Sequence, residues 1–167
     1  MIWGAPLPLP SDPAQLIRTG SIPVVLTGRL LRDARVFDDA CSALIAVEHI
    51  NGQRRRGRTE LLLRPCPDPP LQGWRLRLVG RLKSPSSGPH PRLPGSAERL
   101  ARLGSWSQLR ADELMVLQRP WTPIADRRRS IAQTFEAVAG PRRGGLLAAG
   151  AGCAAREPSR RRYGADR

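Results

Sequence analysis

Histidine, lysine and aromatic residues are scarce in this chain of 167 residues, and their scarcity limits the kinds of catalytic and binding site that it can form. The only histidines, His49 and His90, lie in no metal-ligand spacing, and no two of the three cysteines form a C-x-x-C pair. The G-x-S-x-G motif and phosphate-cradling glycine loops are also missing. The acidic pair Asp38 and Asp39 is interpreted as a polar turn. We therefore expect that the chain is not an enzyme and that it binds no cofactor, no metal and no small-molecule substrate.

A long apolar run is missing too. The longest stretch of small and apolar residues covers 144–155, twelve residues, whereas a membrane-spanning helix needs about 20. The first ten residues carry no basic group and are broken by prolines, unlike a signal peptide. Taken alone, the chain is expected to stay in the cytoplasm.

Arginine, in contrast, is abundant. The formal net charge is +14, and all but one of the 28 basic residues are arginine, the exception being Lys83. Residues 1–50 carry a net charge of −1, residues 51–119 of +9, and residues 120–167 of +6. Such a basic stretch attracts polyanions. Two interpretations stay open: an anion-binding surface, or a solvated surface produced by GC-rich coding.

Alternating apolar residues predict a mainly β fold. In the clearest strand, 74–83, apolar residues and Gly80 occupy one face, while the arginines and Lys83 occupy the other. Gly28, inside the first strand, indicates a bulge of the kind that lets a small barrel close. The predicted strands are 22–31, 41–50, 59–64, 74–83 and 106–117; in the last of these, residues 111–114 could instead begin a helix. The predicted core contains Val25, Ile45, Val47, Leu61, Leu63, Leu76 and Leu78.

Two helices accompany the strands. Residues 97–103, capped by Ser96 and ended by Gly104, precede the last strand. Residues 124–139 place Ile124, Ile131, Phe135 and Val138 on one stripe, and Gly140-Pro141 ends the pattern. These elements predict a small five-stranded antiparallel barrel of OB type with a C-terminal amphipathic helix. The expected organisation is an irregular lead-in at 1–20, the barrel domain at 21–119, a connecting helix at 123–140 and a disordered tail at 141–167.

A disulfide bond is one of two possibilities for Cys41 and Cys66. If the second and third strands pair across the turn at Asn51-Gly52, Ile45 lies near Leu61 or Leu63, and Cys41 comes close to Cys66. Two ordinary buried thiols are the alternative. Cys153 has no remaining partner.

Two arginine clusters are the candidate nucleic-acid contacts. Guanidinium groups bind phosphate through paired hydrogen bonds and stack on bases. OB barrels that hold single strands also use aromatic platforms, and Trp106 is the one candidate, since Trp74 belongs to the apolar face. The candidates are Arg54, Arg55, Arg56 and Arg58 at the hairpin tip, Arg75, Arg77 and Arg81 on the fourth strand, and Trp106.

Several segments, in order, resemble the N-terminal domain of the ComEC family of competence proteins, and cyanobacterial members most of all. The resemblance covers residues 20–149 and depends on the order in which many weak motifs follow one another along the chain. The first two correspond to the family patterns V-x-G-x-L and G-x-x-V-x-V-x-G-x-L. The segments are 25–30 (VLTGRL), 73–82 (GWRLRLVGRL), the proline-rich 84–95, the helix 97–103 with 104–106, the connecting helix 124–138, and 145–149 (GLLAA).

The resemblance implies an OB-type domain on the outer side of the inner membrane, attached to a channel in the same chain that passes single-stranded DNA during natural transformation. Here the expected apolar channel helices are replaced, from about Gly150, by a segment rich in Gly, Ala, Arg and Pro, as in GC-rich DNA read out of frame. We expect this tail not to belong to the fold. A purely structural domain and a non-functional remnant of a truncated competence gene are the alternatives to DNA binding.

Overall fold

The computed structural model describes residues 7–88 and 95–150 and is mainly β. A six-stranded sheet forms its centre, with a short 3-10 helix before it. The 3-10 helix is Pro13–Leu16, and the strands are β1 (Ser21–Leu30), β2 (Arg35–Phe37), β3 (Ala40–Ile50), β4 (Gln53–Leu63), β5 (Arg75–Lys83) and β6 (Gln108–Gln118). The α-helices are α1 (Ser96–Ala101) and α2 (Pro123–Gly150).

Five of the strands are hydrogen-bonded in a closed ring, and β2 adds to the edge of β3. Around the ring the order is β1, β5, β6, β4, β3 and back to β1. All pairs are antiparallel except β4 with β6, which is parallel. The prediction of a purely antiparallel five-stranded sheet was therefore wrong at this pair and missed β2, in a segment interpreted as a turn.

The core lies inside the ring. Ile45, Leu61, Leu76 and Leu78 are fully buried, and Val47 and Leu63 are buried with them, as predicted. Val25 was wrongly placed in the core, because Val24 and Leu26 point inward instead. On β5 the alternation holds over the whole strand: Leu76, Leu78, Gly80 and Leu82 are buried, and the residues between them are not.

The turn at Asn51-Gly52 is a two-residue hairpin. Both residues have positive φ, 49° and 79°, which is the requirement of a type I′ turn. Residues 53–57, interpreted as part of a loop, belong to β4, and Gln53, Arg54 and Gly57 pair with β3. The predicted bulge at Gly28 is confirmed, because the register of β1 against β3 shifts between Thr27 and Gly28.

A disulfide bond joins Cys41 and Cys66, whose Cα atoms are 5.7 Å apart. Cys66 follows β4, and its backbone N–H donates to the carbonyl of Asp39. The predicted register was wrong by at least two residues, since Ile45 lies opposite Thr59. An error of two residues keeps each side chain on its own face of the sheet. For that reason Cys41 and Cys66 were predicted to lie close together in spite of the error.

Both helices differ from their predicted bounds. The N-cap of α1 is Gly95, whereas Ser96, the predicted cap, lies inside the helix and its Oγ donates to the carbonyl of Ser86. Helix α2 continues past Gly140-Pro141 to Gly150, so residues 141–150 are not a disordered tail. Residues 151–167 lie outside the described residues.

The apolar stripe of α2 is largely uncovered. Ile124, Ile131 and Val138 are exposed, and Phe135 is half-buried. An ion pair from Arg129 to Asp33, at 2.9 Å, ties the first turns of α2 to the turn after β1. Within the described ranges, no helix combines the length and the apolar character needed to cross a membrane.

Part of the predicted irregular lead-in is ordered against the sheet. Asp12 is 2 % exposed, and its Oδ1 accepts a hydrogen bond from the N–H of Ala14 at 2.9 Å. Residues Leu16 and Ile17 pack on the core. Residues 1–6 lie outside the described residues.

Burial raises the pKa of Asp12 above its ordinary value, and the hydrogen bond from Ala14 opposes this only in part. The folded state therefore binds a proton on Asp12 more tightly than the unfolded state does. The stability that Asp12 contributes falls as the pH rises through its folded pKa. We expect Asp12→Asn, which keeps the capping oxygen, to be more stable than the native chain at neutral pH, with the gap closing in acid below pH 3.8.

Urea unfolding of both proteins across this range measures the gap. Asp12→Ala is the control, since it also removes the cap and is expected to lose about 1 kcal/mol relative to Asp12→Asn. An Asn variant less stable than the native chain at neutral pH would contradict the assignment.

Candidate nucleic-acid interface

The outer face of four adjacent strands carries a transverse row of polar residues. Pairing aligns Arg54 on β4 with His49 on β3, His49 with Thr27 on β1, and Thr27 with Arg77 on β5. Arg54 and Arg77 are exposed, and the other two are half-buried. Neighbouring strands are about 4.8 Å apart, so three strand spacings separate the arginines by about 14 Å along the sheet.

A second row runs beside the first. It aligns Arg58 on β4 with Ala46 on β3, Ala46 with Arg29 on β1, and Arg29 with Arg75 on β5. Two arginines of each predicted cluster, far apart in sequence, thus lie in the same two rows on the outside of the ring. We call this surface the basic face; its members are Arg29, His49, Arg54, Arg58, Arg75 and Arg77.

One carboxylate offsets the charge of the basic face. Glu48, in the bulge between the two rows, accepts a hydrogen bond from Arg75 Nε at 2.7 Å. Arg58 donates to the carbonyl of Leu103 at 2.9 Å. Arg29, Arg54 and Arg77 form no salt bridge with any carboxylate among residues 7–88 and 95–150. These three guanidinium groups can therefore take a phosphate without first breaking an ion pair or a hydrogen bond that the structure describes.

The other predicted arginines, Arg55, Arg56 and Arg81, lie at two different places. Arg55 and Arg56 lie where the register of β3 against β4 shifts, and the backbone N–H of Arg56 donates to Ser11. Arg81 lies opposite Arg110 on β6 and donates to Ser21 Oγ at 3.1 Å. Arg81 is four residues along β5 from Arg77, about 13 Å. It belongs to a separate basic area, where the Arg81–Arg110 pair repels.

Trp106 lies half-buried in the segment between α1 and β6. This segment contacts the basic face at Arg58, whose guanidinium donates to the carbonyl of Leu103, three residues before Trp106. Trp121, which the sequence interpretation did not consider, is 86 % exposed and follows the end of β6. Because Gln118 pairs with Arg75, Trp121 comes after the strand end that adjoins the basic face.

A buried polar cluster at the β4–β6 pair was missed altogether. Glu60 is 5 % exposed; its carboxylate accepts from Arg99 on α1 at 2.7 Å and from Gln108 Nε2 at 2.6 Å. Beside it, Thr59 and Ser107 share a buried hydrogen bond. The cluster fastens α1 over the parallel pair. Glu60, set in the run TELLL, has the alternation of a solvent-facing residue, so no local signal revealed it.

The described residues contain no group of three or more His, Cys, Asp or Glu side chains placed to hold a metal ion. Asp39, one of the acidic pair interpreted as a polar turn, accepts a hydrogen bond from Arg64 at 2.9 Å. Compared with protein-family models and with curated proteins, the chain matches none. The ComEC-type resemblance therefore remains a prediction.

Proposed function

We propose that this chain is a non-catalytic OB-type module that binds single-stranded DNA through its backbone phosphates. The observation that carries the proposal is the basic face, on which Arg29, Arg54 and Arg77 are exposed and free of carboxylates in the described part of the chain. Arginine suits phosphate oxygens because its planar fork donates paired hydrogen bonds.

The ring of strands supports the OB-type assignment. OB folds are five-stranded Greek-key barrels that bind oligonucleotides on the face of their second and third strands. Counted along the chain without β2, those strands are β3 and β4, which carry His49, Arg54 and Arg58.

The setting in the cell follows from the resemblance to ComEC-type proteins. It would place the module on the outer side of the inner membrane, next to the transmembrane channel part of the same chain. The Cys41–Cys66 disulfide supports such a setting, because disulfides persist outside the reducing cytosol.

Binding is expected to fall steeply with salt and to vary little with base sequence. Each phosphate contact on a single strand contributes roughly −0.7 to the slope of log K against log salt. Replacing Arg29, Arg54 and Arg77 together with Gln should therefore flatten the slope by about 2 and weaken binding more than tenfold at low salt. Fluorescence anisotropy with labelled dT and mixed-sequence oligonucleotides measures both.

The matched control replaces three exposed arginines outside the basic face, Arg18, Arg35 and Arg102, with Gln. It removes the same net charge and should leave most of the affinity and slope. Equal losses in the two triple variants would mean that total charge, and not this face, attracts DNA. If the native chain binds no oligonucleotide even at low salt, the proposal is wrong and the chain is better interpreted as a purely structural domain.

A further inference from the structure

Strand β6 extends well past the strand beside it. It pairs with β4 only from Gln108 to Ala111, whereas it pairs with β5 as far as Gln118, with register shifts at Asp112 and Leu117. Residues 112–118 therefore have β5 on one side. On the other side, none of their backbone groups is hydrogen-bonded to any residue that the structure describes.

The matching extension of β4 is covered. The N–H of Arg56 donates to the carbonyl of Ser11, and the carbonyl of Arg58 accepts a hydrogen bond from Ser105 Oγ. The chain thus protects one free edge of the parallel pair with its own segments and leaves the other unprotected within the described ranges.

The middle of the unprotected edge, residues 114–117, is also apolar. Leu114, Met115 and Leu117 are 37 %, 58 % and 45 % exposed. Free edges in natural sheets are usually short, or carry lysine or proline that prevents pairing with another chain. Strand β2, three residues long with Arg35, follows that rule, whereas residues 112–118 contain neither lysine nor proline. This edge is suited to pairing with another strand.

We propose that the occupant is the same edge of a second copy of this chain, paired antiparallel about a two-fold axis. The charges at the two ends of the segment select this partner. Centred on Val116, the pairing places Glu113 of each copy opposite Arg119 of the other, and Met115 opposite Leu117. Arg119 is exposed, with its guanidinium 4.4 Å from the ring centre of Trp74. The result is an isologous dimer with a continuous sheet.

The test is sedimentation equilibrium of the full chain at low salt, over concentrations up to about 1 mM. We expect a concentration-dependent dimer and, for Met115→Lys, a dissociation constant at least tenfold higher. Phe37→Lys is the control, since it replaces an exposed apolar residue on β2 by the same charge and should dimerise like the native chain. A native chain that stays monomeric throughout, or equal weakening by both variants, would overturn the proposal.

Exchanging the charges of Glu113 and Arg119 distinguishes this dimer from one formed through another surface of the chain. Glu113→Arg and Arg119→Glu should each weaken the dimer, and the two together should restore it. Hydrogen exchange at the amides of 112–118 should slow as the concentration rises, which reports on the edge itself. A double variant as weak as either single one, or protection that does not change with concentration, would contradict the pairing.

Discussion

Gly80→Val is expected to leave the chain largely unfolded, the largest effect of any single substitution considered. A Cβ at this position would meet the carbonyl of Arg110 and lie 2.7 Å from Ala111 Cα. Both are backbone atoms of β6, at the point where its register against β5 shifts. Backbone cannot move aside as a side chain tip can, so the clash must separate the two strands. A loss above about 4 kcal/mol, comparable with the whole stability of a small domain, follows.

Circular dichroism and urea unfolding measure this loss. Gly20→Ala is the control: Gly20 has a φ of +62° and open space around it, so that variant should lose only about 1 kcal/mol. Val79→Ala, an exposed neighbour of Gly80, should be nearly neutral. A Gly80→Val protein with native stability would show that β5 and β6 are not packed as described.

The sequence predicted strands well where polar and apolar residues strictly alternate. On β5 the arginines separate the leucines, so only one assignment of faces is compatible with a buried core. On β1 the residues Val24, Val25 and Leu26 are all apolar. Both faces are then equally plausible from the pattern, and Val25 was placed on the wrong one.

What the sequence could not predict depends on contacts between distant segments. Residues 53–57 are so rich in arginine that they resemble a loop, and only pairing with β3 makes them a strand. The parallel pair of β4 and β6 joins segments about 48 residues apart, and no local pattern encodes it. Only the mutual register of β4, β3, β1 and β5 creates the basic face. For that reason Arg29, which lies between the two predicted clusters, was missed.

Removing the disulfide is expected to lower the unfolding free energy by about 3.5 kcal/mol, because the bond closes a loop with a sequence separation of 25 and so restricts the unfolded chain. The change is Cys41→Ala with Cys66→Ala. Cys41 is 1 % exposed, and alanine leaves no unpaired polar group in the core. Urea unfolding measures the loss, and dithiothreitol should produce a similar loss in the native chain and none in the double variant.

Thiol labelling checks the pairing itself. In the folded, oxidised chain one thiol, that of Cys153, should react, and all three should react after reduction in denaturant, since the sequence holds no other cysteine. Cys153→Ser is the matched control: it should label at no position before reduction, and it should keep the native unfolding midpoint and its full sensitivity to dithiothreitol. Three reactive thiols in the folded, oxidised chain would show that Cys41 and Cys66 are not joined. The 3.5 kcal/mol expected from loop closure would then have no source.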